Sequence, residues 1–200
     1  MPEDRRLLLA THNLGKAEEV RAILAPLGVT VLTNRDFGLG EPEETEATFE
    51  GNARIKARAA VAATGLAALA DDSGLEVDGL DGAPGVRTAD WAETGAGRDF
   101  GLAMRRTHDE LTARGVAEPW TARFRCVMVL LRPDGSEVVA DGRAEGRLTW
   151  PPRGVDGHGY DPVFVPEGET RTFAEMDPAE KNAISHRAAA LRELRDALGL

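Results

Sequence analysis

The run from Leu66 to Ala70 is apolar and stops at Asp71-Asp72-Ser73-Gly74. An apolar run of that length, closed by acids and a glycine, reads as a buried strand with carboxylates at its carboxyl end. In open α/β sheets that edge is where ligands bind. Two adjacent carboxylates repel each other, and a divalent cation relieves the repulsion. Mg²⁺ is held by one or two carboxylates together with substrate phosphates. The same four residues also make a solvated acidic turn, and taken alone they leave both readings open.

The cations carry a second signal. Of 24 basic residues only Lys16, Lys56 and Lys181 are lysines, the compact point charge in a chain that otherwise uses planar guanidinium. Lys16 ends Thr11-His12-Asn13-Leu14-Gly15-Lys16, between a strand over 5–10 and a helix in which Val20, Ile23, Leu24 and Leu27 recur at helical spacing. Strand, polar loop and helix start aim backbone N–H groups and a lysine at one spot, which suits an anionic group. The loop lacks the glycine and hydroxyl positions of a Walker A motif. Lys56 lies on a helix over 47–64, one turn after Asn52 and on the face of Phe49. It either snorkels to solvent or reaches into a cleft. The acids from Glu41 to Glu46 precede that helix, where its dipole favours them.

Lys181 falls in the last helix, which opens at Asp177-Pro178-Ala179-Glu180 with an N-cap, a proline and a capping-box glutamate. Ile184, Ala188, Leu191, Leu194 and Leu198 form its buried stripe, and Lys181, Ser185, His186 and Arg187 make either a plain surface or a polar clamp. A glycine-dense loop spans 154–162. Its glycines permit close approach to a flat ligand, Tyr160 or His158 offers a ring to stack, and Asp161 offers an acceptor. A plain surface loop is the other reading.

These residues need a scaffold. Two hundred residues at 42% hydrophobic suffice for one generous domain or two small lobes, and alternating strand-like and helix-like segments favour α/β. Further strands are expected over 29–32, 121–131, 137–140 and 163–165, and a packing helix begins near Phe100 with His108 at its surface. Cys126, alone in the chain, reads as a small core residue. No apolar run is long enough for a membrane span, and the start lacks a signal-peptide pattern, so a cytoplasmic protein is expected. A net charge of −10 argues against a broad nucleic-acid surface but leaves room for one focused phosphate site.

In combination these stretches resemble the inosine triphosphate pyrophosphatase family, hydrolases of non-canonical purine nucleoside triphosphates. The similar blocks are 11–16 (THNLGK), 43–57 (EETEATFEGNARIKA), 70–78 (ADDSGLEVD), 82–85 (GAPG), 157–162 (GHGYDP) and 181–187 (KNAISHR), in family order across essentially the whole chain. The resemblance implies an elongated mixed sheet flanked by helices, a single domain over 1–200 with two lobes and a central cleft, and a homodimer. It implies that Thr11, His12, Asn13, Leu14, Gly15 and Lys16 form the triphosphate loop and that Lys56 reaches phosphates. Glu43 and Asp72 would bind Mg²⁺, with Asp72 also the general base and Asp71 supporting it. Ser73, His158, Gly159, Tyr160, Asp161, Lys181, His186 and Arg187 would line the nucleotide pocket. The implied reaction gives nucleoside monophosphate and pyrophosphate from dITP, ITP or XTP; a pyrophosphatase for other modified nucleotides and a non-catalytic nucleotide sensor are the alternatives. The chain departs from the family pattern at His158, where phenylalanine is common, and at Thr45-Glu46, where Thr-Gly is frequent.

Overall fold

The computed structural model describes residues 6–24 and 28–198, without the side chains of Leu14, Glu19, Ala22 and Ile23. The expected positions Arg5 and Leu27, and the side chain of Ile23, lie outside the described residues.

Strand β1 (Arg6–Leu9) leads into helix α1 (Leu14–Leu24), and β2 (Thr30–Thr33) follows. Helix α2 (Phe49–Thr64) precedes the long strand β3 (Ala67–Val77). A small exposed hairpin, β4 (Glu93–Thr94) with β5 (Gly97–Arg98), comes before helix α3 (Phe100–Ala113). Strand β6 (Trp120–Leu131) lies where the sequence pattern placed it, β7 (Glu137–Leu148) runs well beyond the expected 137–140, and β8 (Phe164–Pro166) pairs antiparallel with β7. Helices α4 (Pro178–Ile184) and α5 (His186–Ala197) end the described chain. One six-stranded mixed sheet runs β2-β1-β3-β6-β7-β8, with β1 parallel to both β2 and β3.

The chain divides into two compact units. The first comprises Met1–Asp72, Val127–Asp141 and Ala190–Leu200; the second comprises Ser73–Cys126 and Gly142–Ala189. The first has an alanine-rich core in which Ala53, Ala57 and Ala60 of α2 meet Ala68, Ala70 and Leu8. Small side chains let the helix lie close on the strands, so whatever projects from α2 beside them lands on β3. Thr48 caps α2 by accepting from Gly51 N at 3.1 Å, and Gly65, at φ +67°, closes it in the left-handed region. The second unit has an aromatic core of Phe124, Phe164, Phe173, Tyr160 and Trp120, with Leu75, Leu80 and Leu111.

Two expectations are corrected. The carboxylates do not end a strand: β3 runs through Asp71, Asp72, Ser73 and Gly74 to Val77. The last helix is two helices. Ser185 is extended (ψ 155°) and breaks it, its Oγ accepting from Ala188 N at 3.1 Å to start α5. The break shifts the helical phase, so Ile184 is exposed while Ala190, Leu191 and Leu194 form the buried face.

Candidate active site

In the first unit the chemistry is set by strand alternation. Successive side chains of β3 point to opposite faces. Ala68 and Ala70 pack on α2, and Asp72, in the same phase, meets α2 as well. Asp71 takes the other phase and receives Lys16 Nζ from the start of α1 at 2.6 Å. The nearest lysine of Asp71 is thus Lys16 and that of Asp72 is Lys56, although both carboxylates act electrostatically on Lys56. Asp71 and Asp72 are 6% and 7% exposed.

Asp72 Oδ2 accepts from Asn52 Nδ2 at 3.1 Å, and Lys56 Nζ stands 4.0 Å from Oδ1. Lys56, most of its stem buried along α2, also donates to Glu44 at 2.7 Å. Burial pushes the Asp72 carboxyl up to about 6; Lys56 opposes the rise, Glu44 adds to it, the Asn52 amide opposes it, and Asp71 adds to it. Burial disfavours the charged form of Lys56, but Asp71, Asp72 and Glu44 outweigh it and hold the ammonium above its ordinary value. A buried carboxylate near neutrality, crowded by two more acids, has the character of a base and of a cation ligand.

The 11–16 loop is wound by its own side chains. Thr11, buried at the end of β1, accepts from Asn13 N at 3.1 Å through Oγ1, and Asn13 Oδ1 accepts from Lys16 N at 3.2 Å. Asn13 and Thr11 thus shape the loop and its helix start, and two of the backbone donors expected to face an anion are already engaged. His12 N reaches Glu41 Oε1 at 3.4 Å, Gly15 is exposed, and the Leu14 side chain lies outside the described residues. Glu43 is exposed, and it is Glu44 that meets Lys56. Among the described residues no group of three or more His, Cys, Asp or Glu is placed to hold a metal by itself. The acids present nonetheless fit Mg²⁺, which needs only one or two carboxylates when phosphates supply the rest.

In the second unit, Asp161 is 3% exposed and accepts from His158 N at 2.6 Å and from Lys181 Nζ. Gly157, at φ +81°, makes room for this, since a Cβ there would sit 2.2 Å from Asp161 Oδ2. His158 is exposed, its Nδ1 2.6 Å from Gly157 O, and Gly159 is half-buried. Tyr160 corrects an expectation: its ring is fully buried, edge-on to Phe100 at 6.0 Å, so it is spent on the core and has no face for a base. Burial pushes its phenol up to about 12. Lys181 Nζ lies 5.6 Å from the Phe173 ring centroid, and His186 stacks on Phe124 at 5.0 Å with 17° between planes. Ser185 is buried as a helix cap and does not share an exposed flank with Lys181, while Ser73 and Arg187 are half-buried.

Sequence reasoning assigned no role to Asn52 beyond its helical face and none to Glu44 beyond the acidic patch. A buried asparagine among Phe49, Ala53 and Ala57 was the available signal.

The model of the Ham1 family matches residues 7–197. The chain belongs to the Ham1 family. It is 61% identical over 187 residues to a dITP/XTP pyrophosphatase of Ruegeria pomeroyi, covering 94% of this chain and 92% of that one. It is 54% identical over 188 residues to the dITP/XTP pyrophosphatase of Rhodospirillum centenum, again with 94% and 92% covered. Among solved Ham1 structures, the HAM1 protein from Coxiella burnetii superposes with a TM-score of 0.91 at 38% identity, covering 97% of this chain and 98% of that one. A nucleoside-triphosphatase / dITP/XTP pyrophosphatase from Mycobacterium abscessus gives 0.80 at 40% identity, with 96% and 99% covered. The mixed α/β class read from the sequence is the class of these Ham1 neighbours.

Proposed function

We propose that this Ham1 protein hydrolyses non-canonical purine nucleoside triphosphates (dITP, ITP, XTP) at the α–β phosphoanhydride, releasing the nucleoside monophosphate and pyrophosphate and so cleansing the nucleotide pool. The observation that carries the reading is Asp72: a buried carboxylate raised to about 6, hydrogen-bonded by Asn52 and faced by Lys56, in a chain 61% identical to a dITP/XTP pyrophosphatase.

In this reading Asp72 takes the proton of an attacking water, a role for which a pKa near the working pH is suited. Lys16 and Lys56 exchange their carboxylate partners for phosphate oxygens and hold the leaving pyrophosphate. The Thr11–Lys16 loop orients the triphosphate. Mg²⁺, the proposed cofactor, would spread the charge that develops on the phosphates. Asp72 and Glu44 are the carboxylates we assign to it, because Glu44 meets Lys56 beside Asp72; Glu43, named by the family resemblance, is the other candidate. His158, Gly159, Asp161, Lys181, His186, Arg187 and Ser73 are proposed to receive the nucleoside, Tyr160 acting only through the core. No covalent nucleophile is needed. A cytoplasmic homodimer acting on free nucleotides is part of the same proposal, and the net charge of −10 argues against a nucleic-acid partner.

The test is product analysis with inosine, xanthosine, guanosine and adenosine triphosphates side by side. Pyrophosphate from the inosine and xanthosine substrates is expected. Orthophosphate would indicate a different phosphatase, and an intact triphosphate with Mg²⁺ present would indicate a sensor; either refutes the reading.

A further inference from the structure

Asn52 is 2% exposed and uses both ends of its amide. Oδ1 accepts from Glu46 N at 2.9 Å, and Nδ2 donates to Asp72 Oδ2 at 3.1 Å. Chemistry fixes this orientation. A backbone N–H can only donate, so the amide oxygen must face Glu46 and the NH₂ must face Asp72. A flipped amide would set N–H against N–H and oxygen against carboxylate.

Glu46 is docked on the first turn of α2 by more than this bond. Gly51 leaves the space: a Cβ there would fall 2.6 Å from Glu46 Cβ. The backbone N–H of residue 46 makes the hydrogen bond to Asn52, while its Cβ and Cγ lie over Gly51. Lys56, one turn beyond Asn52 on the same helix, stands near the other oxygen of Asp72. The carboxylate therefore sits between an amide donor and an ammonium, both projecting from α2.

We propose that Asn52 is a positioning residue for Asp72. The Glu46 N–H locks its amide, the amide holds Asp72 Oδ2, and one side chain thereby sets both the seat of the acidic loop 41–46 and the rotation of the carboxylate. The proposal rests on the assignment of Asp72 as the base. It goes beyond that assignment by linking the loop that carries Glu43 and Glu44 to the orientation of the base. Asn52 acts through Asp72, so its loss lowers turnover and leaves substrate affinity in place.

Two variants test this. N52D keeps size and an oxygen for Glu46 N but turns an acceptor toward Asp72, and N52A removes both bonds without adding charge. Each is checked for folding by circular dichroism, and kcat and KM for pyrophosphate release from dITP are measured per folded molecule. We expect kcat to fall about 100-fold in each folded variant, the loss a misplaced catalytic group brings, with KM within threefold. Hydrogen exchange at the Glu46 amide is expected to stay slow in N52D and to quicken in N52A. If Asn52 only seats the loop, N52D keeps full turnover; kcat within twofold of wild type in either folded variant overturns the proposal. Wild-type protein that leaves dITP intact instead overturns the functional reading, and no variant is needed to see it.

Discussion

Replacing Asp72 with asparagine in metal-free protein is expected to make the fold more stable while abolishing turnover. Burial raises the Asp72 carboxyl from its ordinary 3.8 to about 6. Between those values the folded chain holds a proton that the unfolded chain has released, so stability falls as pH rises through that window. Above about pH 6 the full penalty is present, about 3 kcal/mol for a gap of that size. Asparagine cannot ionise and escapes it, yet its oxygen still accepts from Asn52. Its NH₂ then faces the Lys56 side, at a cost of about 1 kcal/mol. Urea unfolding in EDTA should therefore show Asp72→Asn more stable than wild type by about 2 kcal/mol at pH 7.5, the advantage vanishing at about pH 4.5 and reversing below it. Nucleotide still binds the variant, but no pyrophosphate appears. A variant equally or less stable at pH 7.5, or a difference that does not change between pH 4 and 7, would refute the account of Asp72 as a carboxylate burdened by burial.

Adding Mg²⁺ to metal-free wild type at pH 7.5 should raise the unfolding temperature, and the rise should be lost in Asp72→Asn; an equal rise in both would remove Asp72 from the metal site. Lys181→Met should destabilise the protein by about 3 kcal/mol, because Asp161 is left buried with only the His158 N–H as a named donor; denaturant titration at pH 7 measures it. Gly157→Ala should cost about 2 kcal/mol or more, since its φ of +81° disfavours a side chain and the added Cβ collides with Asp161. The same variant should raise KM for dITP if the 157–161 loop receives the nucleoside. Lys16→Ala should raise KM for the triphosphate several-fold and destabilise the fold to an extent comparable with Lys181→Met, as Asp71 is buried and loses its 2.6 Å ion pair.

Much of the scaffold was legible because its signals are local. The alternation of apolar runs with helical periods marked β1, α2, β3, α3 and β6, and the Asp177-Pro178-Ala179-Glu180 sequence marked the start of α4. Where reading failed, a longer-range term had won. Polar Asp71 to Gly74 looks like a strand end, yet β3 continues past its pairing with β1, which ends at Leu69, with β6 as its neighbour on the other side. Ile184 fits the apolar period of one long helix, but the Ser185 cap restarts the helix in a new phase. Tyr160 has the composition of a ligand platform in a glycine loop, and only the aromatic core around it shows that its ring is already packed.

The sequence by itself determined which residue types were available: three lysines, two buried-strand acids, an acidic loop ahead of a helix and two glycine-rich loops, in an order similar to a known hydrolase family. It did not determine their partners. The two-residue period of β3 sends Asp71 to Lys16 and Asp72 to α2, and the alanine face of α2 brings Asn52 and Lys56 onto Asp72. Burial is a property of that packing and has no local signature, so the raised Asp72 carboxyl, and the choice of Glu44 over Glu43 as the neighbour of Lys56, belong to the tertiary structure alone.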